Sequence, residues 1–237
     1  MTKRRFGVLV SVLTLTAAPW FAAAVSASAA AAQSPLGAVI TSYMFNQILA
    51  QAASSCPGAS FYTYSDMDQA SAGFPTVAGS GSADDEKREA AAFLANAAYE
   101  TNGFCNIDEP GGASKDYCDA TNAQYPCAPG VGYFGRGPLQ LTWNYNYGAA
   151  GAAVNADLLT NPGLLDNDPV VSWAASLWFW ADNVHPAMAQ GFGATIRALN
   201  GAVECNGGNP AAVQARIQYY TDYTNQLGVD PGPNLSC

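Results

Sequence analysis

Two glutamates nine positions apart, Glu100 and Glu109, are the first residues with catalytic potential. Glu100 follows Ala97 by three residues and Phe93 by seven, so helical spacing places it on an apolar stripe. Apolar surroundings disfavour the charged form of a carboxylate, and the negative end of a helix acts in the same direction. The pattern indicates a raised pKa, which suits a general acid. The open alternative is an exposed glutamate at a frayed helix end.

Glu109 has the opposite setting. It lies beside Asp108 in a polar stretch bounded by glycine and proline, where an ordinary ionised carboxylate is expected. One protonated and one ionised carboxylate form the pair that glycoside hydrolysis uses. By itself this pairing is weak evidence, because any loop contains acids.

A segment rich in aromatic and amide side chains strengthens the case for a sugar substrate. It reads Tyr133-Phe134-Gly135-Arg136-Gly137-Pro138-Leu139-Gln140-Leu141-Thr142-Trp143-Asn144-Tyr145-Asn146-Tyr147. Aromatic rings can stack on the apolar faces of sugars, and amides and hydroxyls can hydrogen-bond their polar groups. An aromatic-rich core helix with a polar outer face is the competing interpretation.

The cysteines and the histidine exclude several other chemistries. The six cysteines have no Cys-x-x-Cys pair among them, which favours three disulfides over a zinc site. The single histidine, His185, would have to serve any Ser-His-Asp or Cys-His triad, and no Gly-x-Ser-x-Gly elbow accompanies it. We therefore interpret His185 as a surface residue. No phosphate loop or dinucleotide fingerprint is present, and no metal or cofactor is implied.

Residues 1–32 have the layout of a secretory signal peptide. A basic start is followed by an apolar stretch and by small residues that offer cleavage at Ala27-Ser28-Ala29. A membrane anchor is the alternative, but Pro19 and the small residues favour cleavage. Removal of three of the nine basic residues leaves six against 18 acids, a formal charge of −12. We expect a secreted, extracellular protein, a monomer without membrane attachment, and no nucleic-acid partner.

The elements that must position these residues are mainly helical. Apolar periodicity predicts helices over 36–53, 84–100, 142–153, 168–181, 190–200 and 209–227. Residues 105–132 contain repeated glycines and prolines and are predicted to form a long loop. The remaining 205 residues, 33–237, are expected to form a single domain in which long loops wall a cleft.

The segment 133–147 resembles the Y-Y-G-R-G-P-[IL]-Q-L-[ST]-x-N-Y-N-Y signature of glycoside hydrolase family 19 chitinases. Family-like stretches also occur at 60–63, 91–94, 191–197 and 227–232, so the resemblance covers nearly the whole mature chain. It is closest to the compact class IV type, in which acid and base are nine residues apart. We expect the chain to lack the cysteine-rich chitin-binding module of many class IV members.

The resemblance implies a mainly α, bilobal, lysozyme-like fold with a substrate cleft between the lobes and long disulfide-tied loops. It also implies an inverting endo-chitinase, which cuts β-1,4-linked N-acetylglucosamine polymers with Glu100 as acid and Glu109 as base. Thr142 would help Glu109 to hold the attacking water. Four residues would bind sugar, namely Gln140, Tyr145, Asn146 and Asn200. Glu204 and Arg216 would orient Glu100 and support its pKa. The implied disulfides are Cys56–Cys105, Cys118–Cys127 and Cys205–Cys237.

Two departures from the family pattern are visible. Tyr99 precedes the acid where the family commonly has histidine, and Phe134 replaces the usual second tyrosine. Two other functions remain open on the same scaffold. One is a catalytically silent chitin-binding lectin, against which the intact Glu100, Glu109 and Thr142 argue. The other is a lysozyme that cleaves peptidoglycan, a polymer that also presents N-acetylglucosamine.

Overall fold

Ten α-helices lie within the described residues and position the site. The computed structural model describes Met1 and residues 33–237, so the predicted signal peptide lies outside the described residues except for Met1. The α-helices are α1 (Pro35–Val39), α2 (Ser42–Leu49), α3 (Gly58–Phe61), α4 (Tyr64–Ser71), α5 (Ala83–Glu100), α6 (Asn144–Val154), α7 (Leu164–Asn167), α8 (Pro169–Phe179), α9 (Phe192–Glu204) and α10 (Pro210–Gln226). Within 33–237 there is no β-strand, only isolated bridges from Arg136 to Asp108 and to Leu141. No helix in this range is long and apolar enough to cross a membrane.

Five of the predicted helices are present with shifted ends, but the helix predicted over 36–53 is wrong. The first helix ends before Ile40, whose backbone is extended. Thr41 then caps a second helix by accepting a hydrogen bond from the Met44 N–H. A side-chain oxygen that satisfies a free helical N–H favours a new start at that point. The short helices α3, α4 and α7 were not predicted. The long loop at 105–132 is observed, with one 3₁₀ turn at Gly112–Ser114.

Helix α5 is the central helix of the fold. It starts with a capping box in which Ser82 and Asp85 satisfy each other's backbone N–H groups. From Glu89 to Ala98 every residue is buried, so the helix is enclosed on all sides rather than along one stripe. Its packing against α10 is the most extensive between any two described helices. Because alanine side chains are small, α5 and α10 can pack closely together. This packing holds Glu100, the last residue of α5, in a fixed place.

Two apolar clusters give the fold its two lobes. The larger gathers around α5 and includes Phe45, Phe93 and Trp173. The smaller gathers around Tyr133 and Tyr147, beside the segment with the family signature. Helix α8 contributes residues to both clusters, so it joins the lobes.

Three disulfides tie the loops. Cys56–Cys105 joins the chain before α3 to the loop after α5, Cys118–Cys127 closes part of the long loop, and Cys205–Cys237 fixes the C-terminal residue to the end of α9. These are the pairs that the family resemblance implies.

The histidine differs from its interpretation as a surface residue. The Nδ1 atom of His185 lies 2.6 Å from Glu89 Oε1, and only 28% of the side chain is exposed. Glu89 is buried and also accepts hydrogen bonds from the Trp180 indole and the Ala78 N–H. Sequence periodicity could not reveal this contact, because the two partners are 96 residues apart.

Candidate active site

The two glutamates line one cleft of about 630 Å³. Glu100 comes from the end of α5 and Glu109 from the long loop. The remaining walls come mainly from residues 133–147, the signature segment, and from α9. The residues expected to act on substrate all line it: Gln140, Thr142, Tyr145, Asn146 and Asn200. Glu204 and Arg216 do not line the cleft but contact Glu100 or its partners from behind.

Glu100 pairs with a charged residue, and about 20% of its side chain is exposed to the cleft. Its Oε1 atom accepts a hydrogen bond of 2.5 Å from Arg216 Nη2. Burial raises the pKa of the Glu100 carboxyl; Arg216 opposes the rise, and the negative charge of Glu204 adds to it. The net result is a Glu100 pKa above its ordinary value, as the sequence pattern indicates.

Arg216 divides one positive charge between two carboxylates. Its side chain is completely buried, and its Nε and Nη2 atoms each donate to Glu204 at 2.8 Å. Asn200 donates to the same carboxylate at 2.9 Å. Glu204 accepts two of the arginine's hydrogen bonds and Glu100 accepts one. Arg216 therefore stabilises the charged form of Glu100 only in part, and the pKa of Glu100 stays raised.

Asn96 and Tyr99, which have no assigned role in the sequence pattern, complete this cluster. Asn96 is buried one helical turn before Glu100, and its Oδ1 accepts from Arg216 Nη1 at 3.0 Å. The ring of Tyr99 covers the guanidinium at 4.1 Å from the ring centroid. A polar Asn96 within an alanine run was a signal that could have revealed the first contact. The departure at Tyr99 was visible, but its contact with Arg216 was not.

Glu109 is held in its ionised form. Its Oε1 accepts hydrogen bonds from the Lys115 ammonium and from the Tyr117 hydroxyl, the latter at 3.0 Å, and its Oε2 accepts from the Gly135 N–H at 3.3 Å. Partial burial works against ionisation, but these three donors outweigh it and hold the pKa of Glu109 below its usual range. Lys115 and Tyr117 were not among the predicted site residues; Lys115 is the only lysine of the 105–132 loop.

The signature segment presents its side chains from a strained backbone. Gln140 and Trp143 have φ angles of 49° and 79°, in the left-handed region that non-glycine residues rarely adopt. The Gln140 amide donates to two backbone carbonyls, the Asn146 amide donates to the Thr142 carbonyl, and the Thr142 hydroxyl donates to the Gln140 carbonyl. These bonds fix the side chains before any ligand arrives.

Trp143 provides an exposed aromatic face beside the cleft. Its ring is nearly parallel to that of Tyr145, with centroids 6.1 Å apart, and meets Tyr117 edge-on at 5.3 Å. With 38% of its surface exposed, it is one of the few large apolar side chains in the described residues that face solvent. Phe134, which lacks the family's hydroxyl, instead lies flat on the Arg136 guanidinium at 3.5 Å.

Comparisons with known proteins agree with this architecture. The family model for glycoside hydrolase family 19, described as class I chitinase, matches residues 39–189 and 181–237. A basic endochitinase from Brassica napus is 54% identical over 202 residues, which are 85% of this chain and 74% of that protein. An endochitinase from Arabidopsis thaliana is 54% identical over 199 residues, 84% of this chain and 73% of that protein.

Solved structures give the same result. The family 19 class IV chitinase from Zea mays superposes with a TM-score of 0.81 at 50% identity, over 84% of this chain and 98% of that chain. Chitinase C from Streptomyces griseus superposes with a TM-score of 0.77 at 46% identity, over 84% and 97%. The fold and cleft are therefore those of a lysozyme-like glycoside hydrolase. The chain belongs to the chitinases of glycoside hydrolase family 19.

Proposed function

We propose that this protein is a secreted endo-chitinase that hydrolyses β-1,4 linkages between N-acetylglucosamine units with inversion of configuration. The observation that carries the proposal is the contrast between two carboxyls in one cleft. The pKa of Glu100 is raised by burial, whereas the pKa of Glu109 is lowered by three hydrogen-bond donors. Near neutral pH, such a pair supplies one proton donor and one proton acceptor.

In this mechanism Glu100 protonates the leaving glycosidic oxygen. Glu109 removes a proton from a water molecule that attacks the anomeric carbon from the opposite face. Thr142 lines the same cleft, and its hydroxyl oxygen retains lone pairs that can accept a hydrogen bond from that water. Arg216 keeps Glu100 in place, and the negative charge of Glu204 favours the protonated form of Glu100, which Arg216 itself opposes.

Sugar binding follows from groups that are already fixed. The amide N–H groups of Gln140 and Asn146 donate within the protein, which leaves their carbonyl oxygens to accept from sugar hydroxyls and acetamide N–H groups. Asn200 and Tyr145 line the same walls. The parallel rings of Trp143 and Tyr145 offer an apolar surface on which a sugar face can stack.

The acid is tested by Glu100→Gln. The amide keeps the shape and can still bind Arg216, but it cannot donate the catalytic proton. We expect hydrolysis of chitin oligomers to fall roughly 10²–10⁴-fold while oligomer binding survives. Glu86→Gln on the first turn of the same helix is the matched control. A Glu100→Gln enzyme with more than about a tenth of the wild-type rate would remove Glu100 from this role.

The stereochemistry tests Glu109. A retaining enzyme needs its second carboxylate about 5–5.5 Å from the first, whereas an inverting one leaves about 6.5–9.5 Å for a water. Glu100 ends α5 and Glu109 lies on the loop that follows it, and the wider spacing rests on the family resemblance. The first product should be the α-anomer, observed by NMR before mutarotation. Initial release of the β-anomer would contradict both the mechanism and the role of Glu109.

The same assays separate the other candidates. Turnover of soluble chitin oligomers distinguishes an enzyme from a lectin, and comparison with bacterial cell walls distinguishes a chitinase from a lysozyme. The secreted location is supported by the three disulfides, since such bonds persist in oxidising compartments. N-terminal sequencing of the mature protein tests the cleavage expected near residue 32, and sedimentation tests the monomer.

A further inference from the structure

A second group of charges lies directly behind the loop that carries Glu109. Its centre is Arg136, whose side chain is almost fully buried. Arg136 Nε donates to Asp166 Oδ2 of α7 at 3.0 Å, and its Nη1 donates to the Tyr147 hydroxyl at 2.8 Å and to the Gly132 carbonyl at 3.0 Å. None of these contacts takes part in the mechanism described above.

The other oxygen of Asp166 is unusual among the described residues. Asp166 Oδ1 is buried, and no donor group of residues 33–237 reaches it. Besides Arg136, the side chain that interacts with the Asp166 carboxyl is the carboxyl of Asp108. Two ionised carboxylates offer only acceptors, so this contact forms a hydrogen bond only when one of the two is protonated.

The surrounding charges favour such a proton. Arg136 supplies one positive charge against the two acids. Burial, together with the contact to Asp108, raises the pKa of Asp166 to about 7 although Arg136 opposes the rise. The other titratable groups that face the pair are the hydroxyls of Tyr62 and Tyr147. Burial raises the pKa of both, and the negative charges of Asp108 and Asp166 add to the rise, so both stay neutral.

This acid pair is connected to the proposed base through the backbone. Asp108 forms an antiparallel bridge with Arg136. On either side of that bridge, the Gly137 N–H donates to the Ile107 carbonyl at 2.9 Å and the Glu109 N–H donates to the Gly135 carbonyl at 2.8 Å. A displacement of Asp108 therefore acts on the residue that carries the Glu109 carboxylate.

We propose that Asp108 and Asp166 share one proton, and that this proton makes them positioning residues for Glu109. With the proton present, the two carboxyls are bonded and the loop is tied to α7. Without it, two like charges face each other beside a single arginine, and Asp108 moves away with its neighbour. The positioning part rests on the role proposed above for Glu109, whereas the shared proton does not.

The proton is tested by NMR on the whole protein with ¹³C-labelled aspartate carboxyls. We expect one carboxyl signal to titrate with a midpoint near pH 7 in the wild type, the value that burial and Asp108 give to Asp166. Asp108→Asn replaces the shared proton with an amide donor, so this titration should disappear. Asp116→Asn, on the same loop, is the matched control and should leave it unchanged. Absence of any aspartate titration between pH 6 and 8 in the wild type would overturn the proposal.

The positioning role is tested by comparing Asp108→Ala with Asp108→Asn. We expect the alanine variant to lower kcat by roughly ten- to a hundredfold with little change in KM, because a misplaced base slows the reaction without weakening binding. The asparagine variant should restore most of that loss. One pH unit above the midpoint only about a tenth of the wild-type pairs hold the proton, so kcat of Asp108→Asn should exceed that of the wild type by up to about tenfold at pH 8.

Each outcome has a distinct meaning. Equal kcat in the alanine variant and the wild type would refute the positioning role, since it would show that the acid pair does not act on the loop. Full activity of Glu109→Gln would instead refute the proposed function of Glu109, and the NMR titration would still decide whether the proton is shared. Thermal unfolding of each variant at pH 6 checks that the chains remain folded.

Discussion

Replacement of Arg216 by methionine should destabilise the protein in a way that depends on pH. The guanidinium is completely buried and makes four hydrogen bonds, to Glu100, Asn96 and twice to Glu204. Methionine fills a similar volume but leaves two buried carboxyls without a cation. Removal of one member of a buried ion pair costs about 3–5 kcal/mol. For a domain of this size that corresponds to a fall in Tm of roughly 6–20 °C.

The pH dependence gives the sharper test. Arg216 opposes the rise in the pKa of Glu100, so its loss raises that pKa further. A carboxyl whose folded pKa lies above its unfolded value stabilises the fold fully below the unfolded pKa, and loses that contribution as pH rises through the folded pKa. The deficit of Arg216→Met should therefore be smaller at pH 4.5 than at pH 7.

Urea denaturation of wild type and variant at both pH values measures this difference. Arg197→Met on α9 is the matched control, because Arg197 is exposed and makes one hydrogen bond, to the Cys237 carbonyl, so its loss should cost under about 1 kcal/mol. A deficit for Arg216→Met below about 1 kcal/mol at pH 7 would refute the reasoning. So would a larger deficit that is the same at both pH values, because the two carboxyls would then not be the cause.

Three further predictions concern the surroundings of the site. Tyr99→Ala should lower the pH at which kcat is lost on the alkaline side, because the ring no longer excludes water from the acid's cluster, whereas Tyr99→Phe should behave as wild type; equal profiles for both would exclude a role for the ring. Lys115→Met should move the acidic limit of kcat/KM to higher pH, since Glu109 loses a donor that lowers its pKa; an unmoved limit would exclude the lysine from this function. Loss of Cys205–Cys237, which closes a span of 32 residues, by a double alanine substitution should cost about 3–4 kcal/mol of unfolding free energy, measured in urea; a cost below about 1 kcal/mol would contradict the loop-closure argument.

The part of the site that lies on one helix could be predicted from the sequence. Helical spacing placed Glu100 on the apolar pattern of α5 and indicated a desolvated carboxyl there, with an exposed glutamate at a frayed helix end as the open alternative. The glycine and proline content around Glu109 likewise indicated a loop. Both inferences need only local periodicity and turn chemistry, which do not depend on the rest of the fold.

The contacts that tune the two carboxyls could not be predicted in this way. Arg216 lies 116 residues from Glu100, and its assignment to that particular carboxyl came from the family resemblance. The interaction of Asp166 with Arg136 spans 30 residues and joins α7, a helix too short to show periodicity, to the signature segment. The break at Ile40 was missed for a different reason, since the apolar pattern continues across it and a local cap decides the geometry.

The left-handed conformations of Gln140 and Trp143 set a limit on how far this protein can be stabilised. For a residue with a side chain this backbone conformation costs about 1 kcal/mol or more, whereas glycine adopts it without strain. Glycine at either position would relieve that strain, but it would delete the amide or the indole that faces the cleft. Selection for heat resistance and selection for turnover therefore act in opposite directions at these two positions. A library screened for stability alone should accumulate Trp143→Gly, which removes no side-chain hydrogen bond, and lose activity, and gains in Tm without loss of rate should come from residues distant from the signature segment.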